Sequence, residues 1–218
     1  MPTITAQSII NKAKTVLQDT TNVRWLDAEL LGYLNDGQRE IASRRPDACS
    51  FVENLTLVAG TRQAIPDAGT SLLRAVRNMG TSGTSPGRAI RHVPMDLLDA
   101  SNPNWHSVAG SNDILHVAVD GRAPHVFYTY PPALAGTRIE IIYAAPPAEV
   151  ASVGAAITVD DIYATPLLDY VCFRAYTKDQ ELVGNTDRAK SHYDLFESFM
   201  NAKSQADAVV APRPNVKG

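Results

Sequence analysis

The sequence is poor in cysteine, in long apolar runs and in charge of one sign. Cys49 and Cys172 are its only cysteines and lie far apart, so at most one bridge could form and a disulfide framework is excluded. Cys172 stands at helical spacing with Leu168 and Ala175 and reads as a small buried hydrophobe. No apolar stretch approaches the length that spans a membrane. The start, MPTITAQSIINKAKTVL, lacks the basic-then-apolar layout of a secretory signal, so a soluble, intracellular product without membrane partners is expected. Twenty basic residues stand against 23 acidic ones, a net charge of −3. The balance stays near zero along the chain, without the basic excess of a protein that grips phosphate backbones.

What is present is the make-up of a folded protein: 218 residues, 44% hydrophobic, 20% charged. The order is helices, strands, helices. Ala6, Ile9, Ile10, Ala13, Val16 and Leu17 form one apolar face behind a Thr5 cap. Leu26, Leu30, Leu34, Gly37 and Ile41 form a second. Gly37 costs about 1 kcal/mol relative to Ala in a helix, so a close helix crossing is expected there. Arg44 and Arg45 fall in the last turn, where the macrodipole favours cations, and Pro46 forbids continuation.

From Ser50 the period becomes two. SFVENLT, TRQAI, LLRAVRNM, RAIRHV, the Asp120-Gly121 hairpin and TRIEIIYAAPP read as strands, with double prolines following the last two. The glycine-rich GTSGTSPG reads as a mobile hairpin loop. Helical period returns near Asp161, with Thr165-Pro166 as a start and Gly184 as a C-terminal cap. Ala189, Tyr193, Phe196 and Met200 form the last apolar stripe. The expected fold is α+β: a helical bundle from residues 1–49 and 160–210, an inserted antiparallel β domain at 50–159, and an extended tail at 211–218.

Chemistry is sparse. His92, His106, His116 and His125 fall in the β region, and His116 and His125 could face each other across a hairpin. None stands at ligand spacing to Cys, Asp or Glu, so no metal and no cofactor are expected. There is no phosphate-binding Gly-Lys-Ser/Thr loop and no G-x-S-x-G elbow, and Asp160-Asp161 reads as a helix cap. Phe127, Tyr128 and Tyr130 read as sheet packing rather than a base-stacking platform. Arg74, Arg77, Arg88 and Arg91 admit two readings, a solvated sheet face or a subunit contact.

The succession of segments carries more than any motif. RWLDAELLGYLNDGQREIASRRPDA, then RHVPMDLLDASNPNW, then PLLDYVCFRAYTKDQELVGNTDRAKSHYDLFESFMNA resembles, in that order, the head-to-tail adaptor (connector) proteins of tailed bacteriophages. Leu26 stands where a Ser or Thr cap would be natural. The resemblance implies a non-enzymatic virion protein at the head–tail junction, made in the host cytoplasm. It implies a homo-oligomeric ring, a dodecamer, below the portal protein. Double-stranded DNA would pass through its lumen without specific binding, and tail tube or nozzle proteins would attach to it. On that reading Arg39, Arg44, Arg45 and Asp47 are expected at a subunit interface, and charge reversal at Arg44 or Arg45 would weaken assembly but spare helix content. Pro212, Arg213, Pro214 and Asn215, with Thr81, Ser82, Thr84 and Ser85, are expected at a portal or tail contact. Three alternatives stand beside it: a tail-tube or nozzle-proximal subunit, a small metal-dependent hydrolase using the β-region histidines, and a nucleic-acid-binding module.

Overall fold

The computed structural model describes residues 2–210, with side chains to Asp207. The architecture is α+β, and the chain divides into two compact units. Residues Arg45–Pro146 form one, and the segments on either side form the other.

In the flanking unit, α1 (Ala6–Leu17), α2 (Asp27–Arg44), α4 (Ala164–Lys178) and α5 (Asn185–Val210) pack around α4. Thr5 Oγ1 accepts from Ser8 N and starts α1, as its position predicts. α2 begins after Leu26, which is 61% exposed and so leaves the apolar face assigned to it. The reason lies upstream. The Asp19 carboxylate accepts from the backbone N–H groups of Val23, Arg24 and Trp25, winding a tight turn that buries Trp25 instead. Gly37 is the close crossing: a Cβ there would meet Tyr170 Cδ1 at 2.9 Å and Leu167 Cδ2 at 3.0 Å on α4. α4 is entered through a 3-10 turn, Asp161–Tyr163, capped by Asp160 rather than by Thr165. Gly184 has φ +87° and sits just before α5, not at the end of α4.

The irregular segment 148–159 also belongs to this unit. Its free backbone groups are taken up by two buried amides of α2. Asn35 donates to Val150 O and accepts from Val150 N, while Gln38 Oε1 accepts from Thr158 N at 2.7 Å. Both residues are more than nine-tenths buried, which only such pairing makes tolerable. Among the described residues no helix is long and apolar enough to cross a membrane.

The second unit holds two sheets. One has the order β1 (Ser50–Thr56), β7 (Arg138–Ala144), β3 (Ser71–Asn78). The other has the order β2 (Gly60–Ala64), β6 (Val126–Ala133), β5 (His116–Val119), β4 (Arg91–His92). β7 shows the alternation read in its sequence: Ile139, Ile141 and Tyr143 turn inward. They join Leu72, Ala75, Val117 and Phe127 in a core drawn from both sheets. On β5 the next residue, Ala118, faces the other way, onto Trp105 and Leu98 of α3 (Met95–Ser101).

Three details depart from expectation. Pro131 and Pro132 lie inside β6, not after it, and the β2–β6 register shifts beside them because neither carries an N–H. One pair, β4–β5, is parallel, since α3 and the Trp105 turn between them supply the long crossover that parallel strands need. β1 and β2, adjacent in sequence, join different sheets.

Candidate functional site

The candidate contact residues separate between the units. Arg39 and Arg44 lie on α2, whereas Arg45 and Asp47 belong to the β unit. Arg44 is tied within the chain. Its Nε donates to Glu40 at 2.7 Å, Nη1 to Glu197 at 2.6 Å and Nη2 to Tyr193 Oη at 3.0 Å, and its guanidinium lies over the Phe196 ring. These contacts join the end of α2 to α5. Hydrogen bonds from Arg44 and then Tyr193 hold the Glu197 carboxyl below its ordinary value. Arg39 is half exposed, reaching Asp36 at 3.1 Å and Glu149 at 3.7 Å. Arg45 donates to both oxygens of Asp47 just past the helix end. The charged stop therefore has intrachain partners throughout.

Thr81, Ser82, Thr84 and Ser85 lie together in the loop after β3, where sequence reading expected mobility. The structure shows what holds it. Asn54 Nδ2 donates to Gly83 O at 3.0 Å and Arg138 Nη1 to Ser82 O at 3.1 Å. Gly83 has φ +77°, and a Cβ there would strike the Arg138 side chain at 2.8 Å. The side chains at 81, 82, 84 and 85 are exposed, and the hydroxyls of Ser82 and Thr84 share a hydrogen bond of 2.9 Å. Pro212, Arg213, Pro214 and Asn215 lie outside the described residues.

The histidines are dispersed. His116 pairs in register with Tyr130 and stacks on its ring, so it does not face His125. His92 Nε2 accepts from Ala75 N at 2.8 Å, and His106 stacks on Trp105 and bonds Thr61 through Nδ1. Burial, then the cations of Arg91 and Arg88, push the His116 pKa down. Among the described residues no three His, Cys, Asp or Glu side chains converge as a metal site would require. Of the arginines on the sheets, Arg77 pairs with Glu140 on the neighbouring strand at 2.8 Å.

Sequence reading did not anticipate an apolar cleft of about 300 Å³ between α3 and the β5–β6 strands. It is lined by Val93, Leu97, Leu98, Trp105, His116 and Tyr130. Its signal was present in the Trp of NPNW, whose indole N–H reaches back to Asp99 of DLLD at 2.8 Å. The chemistry available across these surfaces is packing and hydrogen bonding.

Compared with known protein families, residues 4–217 match the SU10 adaptor protein family. The chain belongs to that family. It is a head-to-tail adaptor, a structural protein of the phage virion, as the order of its segments suggested. Comparison with curated proteins returns no match. Among solved structures, the adaptor is similar to a chain of the neck of a native GTA particle computed with C12 symmetry. The two share 18% identity at a TM-score of 0.25, over 87% of this chain and 91% of that one.

Proposed function

We propose that the adaptor assembles into a homo-oligomeric ring, a dodecamer, below the portal protein at the head–tail junction. There it extends the DNA channel and offers the platform to which tail components attach, without catalysis. The observation that carries this reading is the family match over residues 4–217. The charge supports it: at −3 over 218 residues, a lumen built from such chains lets DNA slide instead of holding its phosphates. The loop of Thr81, Ser82, Thr84 and Ser85, pinned by Asn54 and Arg138, is proposed to meet a portal or tail partner as a preformed surface. On α2, Arg39 has the exposure a subunit contact needs.

Light scattering coupled to size exclusion, on the adaptor alone and mixed with its portal ring, tests the proposal. A portal-dependent shift to a stable multi-subunit complex is expected. An intact portal that leaves full-length adaptor unassociated would overturn it and favour a more distal tail position.

A further inference from the structure

On the β2–β6–β5–β4 sheet, one face packs Ala118, Tyr128 and Tyr130 with Trp105 and Leu98. Residues paired across a sheet share a face. The pairings Arg91–His116 and His116–Tyr130 therefore set three side chains in a row across β4, β5 and β6, on that same face. Alternation agrees: the next residue, His92, turns the other way, where its Nε2 accepts from Ala75 N.

The polar groups of this row are not satisfied within the chain. The Arg91 guanidinium is exposed and has no hydrogen bond or ion pair among the described residues, whereas Arg45 and Arg77 of the same unit have Asp47 and Glu140. The Tyr130 hydroxyl is likewise without a partner among them, and His116 Nδ1 is buried with none. Buried polar atoms are rarely left so. Arg88 is exposed and without an ion pair as well, and lies near: burial first, then the cations of Arg91 and Arg88, hold the His116 pKa down.

His116 and Tyr130 also line the apolar cleft beneath α3, with Val93, Leu97 and Trp105. At about 300 Å³ the cleft is at the small end of ligand pockets, with room for one bulky apolar side chain. Leu97, one of its walls, is 56% exposed. An apolar anchor in a pocket with a charged group at its rim is the usual build of a protein–protein contact. The charge that the rim lacks is negative, on the side of Arg91 and Arg88; α3 already carries Asp96 and Asp99 on the other. Nucleic acid fits less well. The unit Arg45–Pro146 holds eight arginines, eight carboxylates and no lysine, without the excess that draws phosphates, and aliphatic walls offer no platform for bases.

We propose that this cleft receives one bulky apolar side chain from an acidic segment of a partner protein, and that a neighbouring carboxylate of that segment pairs with Arg91. The inference does not depend on the ring or the portal. NMR titration of the full chain tests it, with acetyl-Asp-Phe-Asp-amide as the probe and the Trp105 indole and His116 ring signals as readouts. Saturable shifts of both are expected. Replacing the Phe of the probe by Gly should weaken binding by about tenfold or more. Replacing both Asp by Asn should weaken it by about two- to fivefold, as an exposed ion pair allows. Two variants change exposed side chains, and the dispersion of their spectra checks that the fold is kept. Leu97→Ser should weaken the Asp and Asn probes alike, whereas Arg91→Gln should erase the difference between them. No shift at Trp105 with any probe would overturn the proposal, as would binding indifferent to Leu97→Ser. Equal binding of the Asp and Asn probes to the unaltered chain would overturn the pairing with Arg91. An oligothymidylate that shifts the same signals and displaces the peptide would assign the surface to nucleic acid instead. Light scattering with portal reports ring assembly separately, so failure of one reading is distinguishable from failure of the other.

Discussion

Replacing Arg44 by Ala separates an intrachain tie from a subunit contact. The substitution removes three hydrogen bonds, to Glu40, Glu197 and Tyr193, and the cation over Phe196. The side chains of Arg44 and Glu197 are 29% and 32% exposed, so each ion pair is partly screened and contributes about 0.5 kcal/mol. The bond to Tyr193 and the cation–π contact contribute about 0.5–1 kcal/mol each, because Phe196 is fully buried. Together these amount to about 2–3 kcal/mol. With a urea slope of about 2 kcal/mol/M, the midpoint should fall by about 1–1.5 M. Arg39→Ala is the control: its pairs are half exposed, and it should cost no more than about 0.5 kcal/mol. In a double-mutant cycle Arg44 and Glu197 should couple by about 0.5–1 kcal/mol. If Arg44→Ala unfolds no earlier than Arg39→Ala yet fails to assemble with portal, the reasoning is refuted. The partner that matters would then lie on a neighbouring subunit.

Two glycines of α2 should respond oppositely. Gly32→Ala meets open space and should stabilise by up to about 1 kcal/mol, whereas Gly37→Ala collides with Tyr170 and Leu167 and should lose about 1 kcal/mol net in thermal melts. Asn78→Ala leaves the carbonyl and the N–H of Ile114 without their buried side-chain partner, and should cost about 2–4 kcal/mol in chemical denaturation. Acid should weaken the helical unit. The Asp161 carboxyl is held low by the Thr3 side chain and the N–H groups of Ile4 and Thr3, and that of Glu197 by Arg44 and Tyr193. Depressed carboxylates contribute stability above their ordinary range, lost as pH falls through the folded values. Melting temperature should therefore drop below about pH 4, and Asp161→Asn should flatten that limb.

Much of this was legible in one dimension because it is local. The Thr5 cap, the stop at Pro46, the inward alternation of β7 and the stripe of Ala189, Phe196 and Met200 each follow from residues within a turn or a strand of one another. Gly37 announced a close approach because nothing within its helix repays its propensity cost. Leu26 was misplaced on the apolar face because Asp19, seven residues upstream, gathers the backbone N–H groups of Val23, Arg24 and Trp25 into a turn that buries Trp25 in its stead. Sequence order alone therefore determined the α+β class, the helix–strand–helix succession and the resemblance to an adaptor. Partnership was decided only in three dimensions. Arg44 meets Glu197, Asn35 and Gln38 satisfy a segment more than a hundred residues away, and β1 joins β7 rather than β2. A charged or amide side chain carries the same propensity whichever group it meets. Which strands share a sheet depends on pairings that no local rule contains.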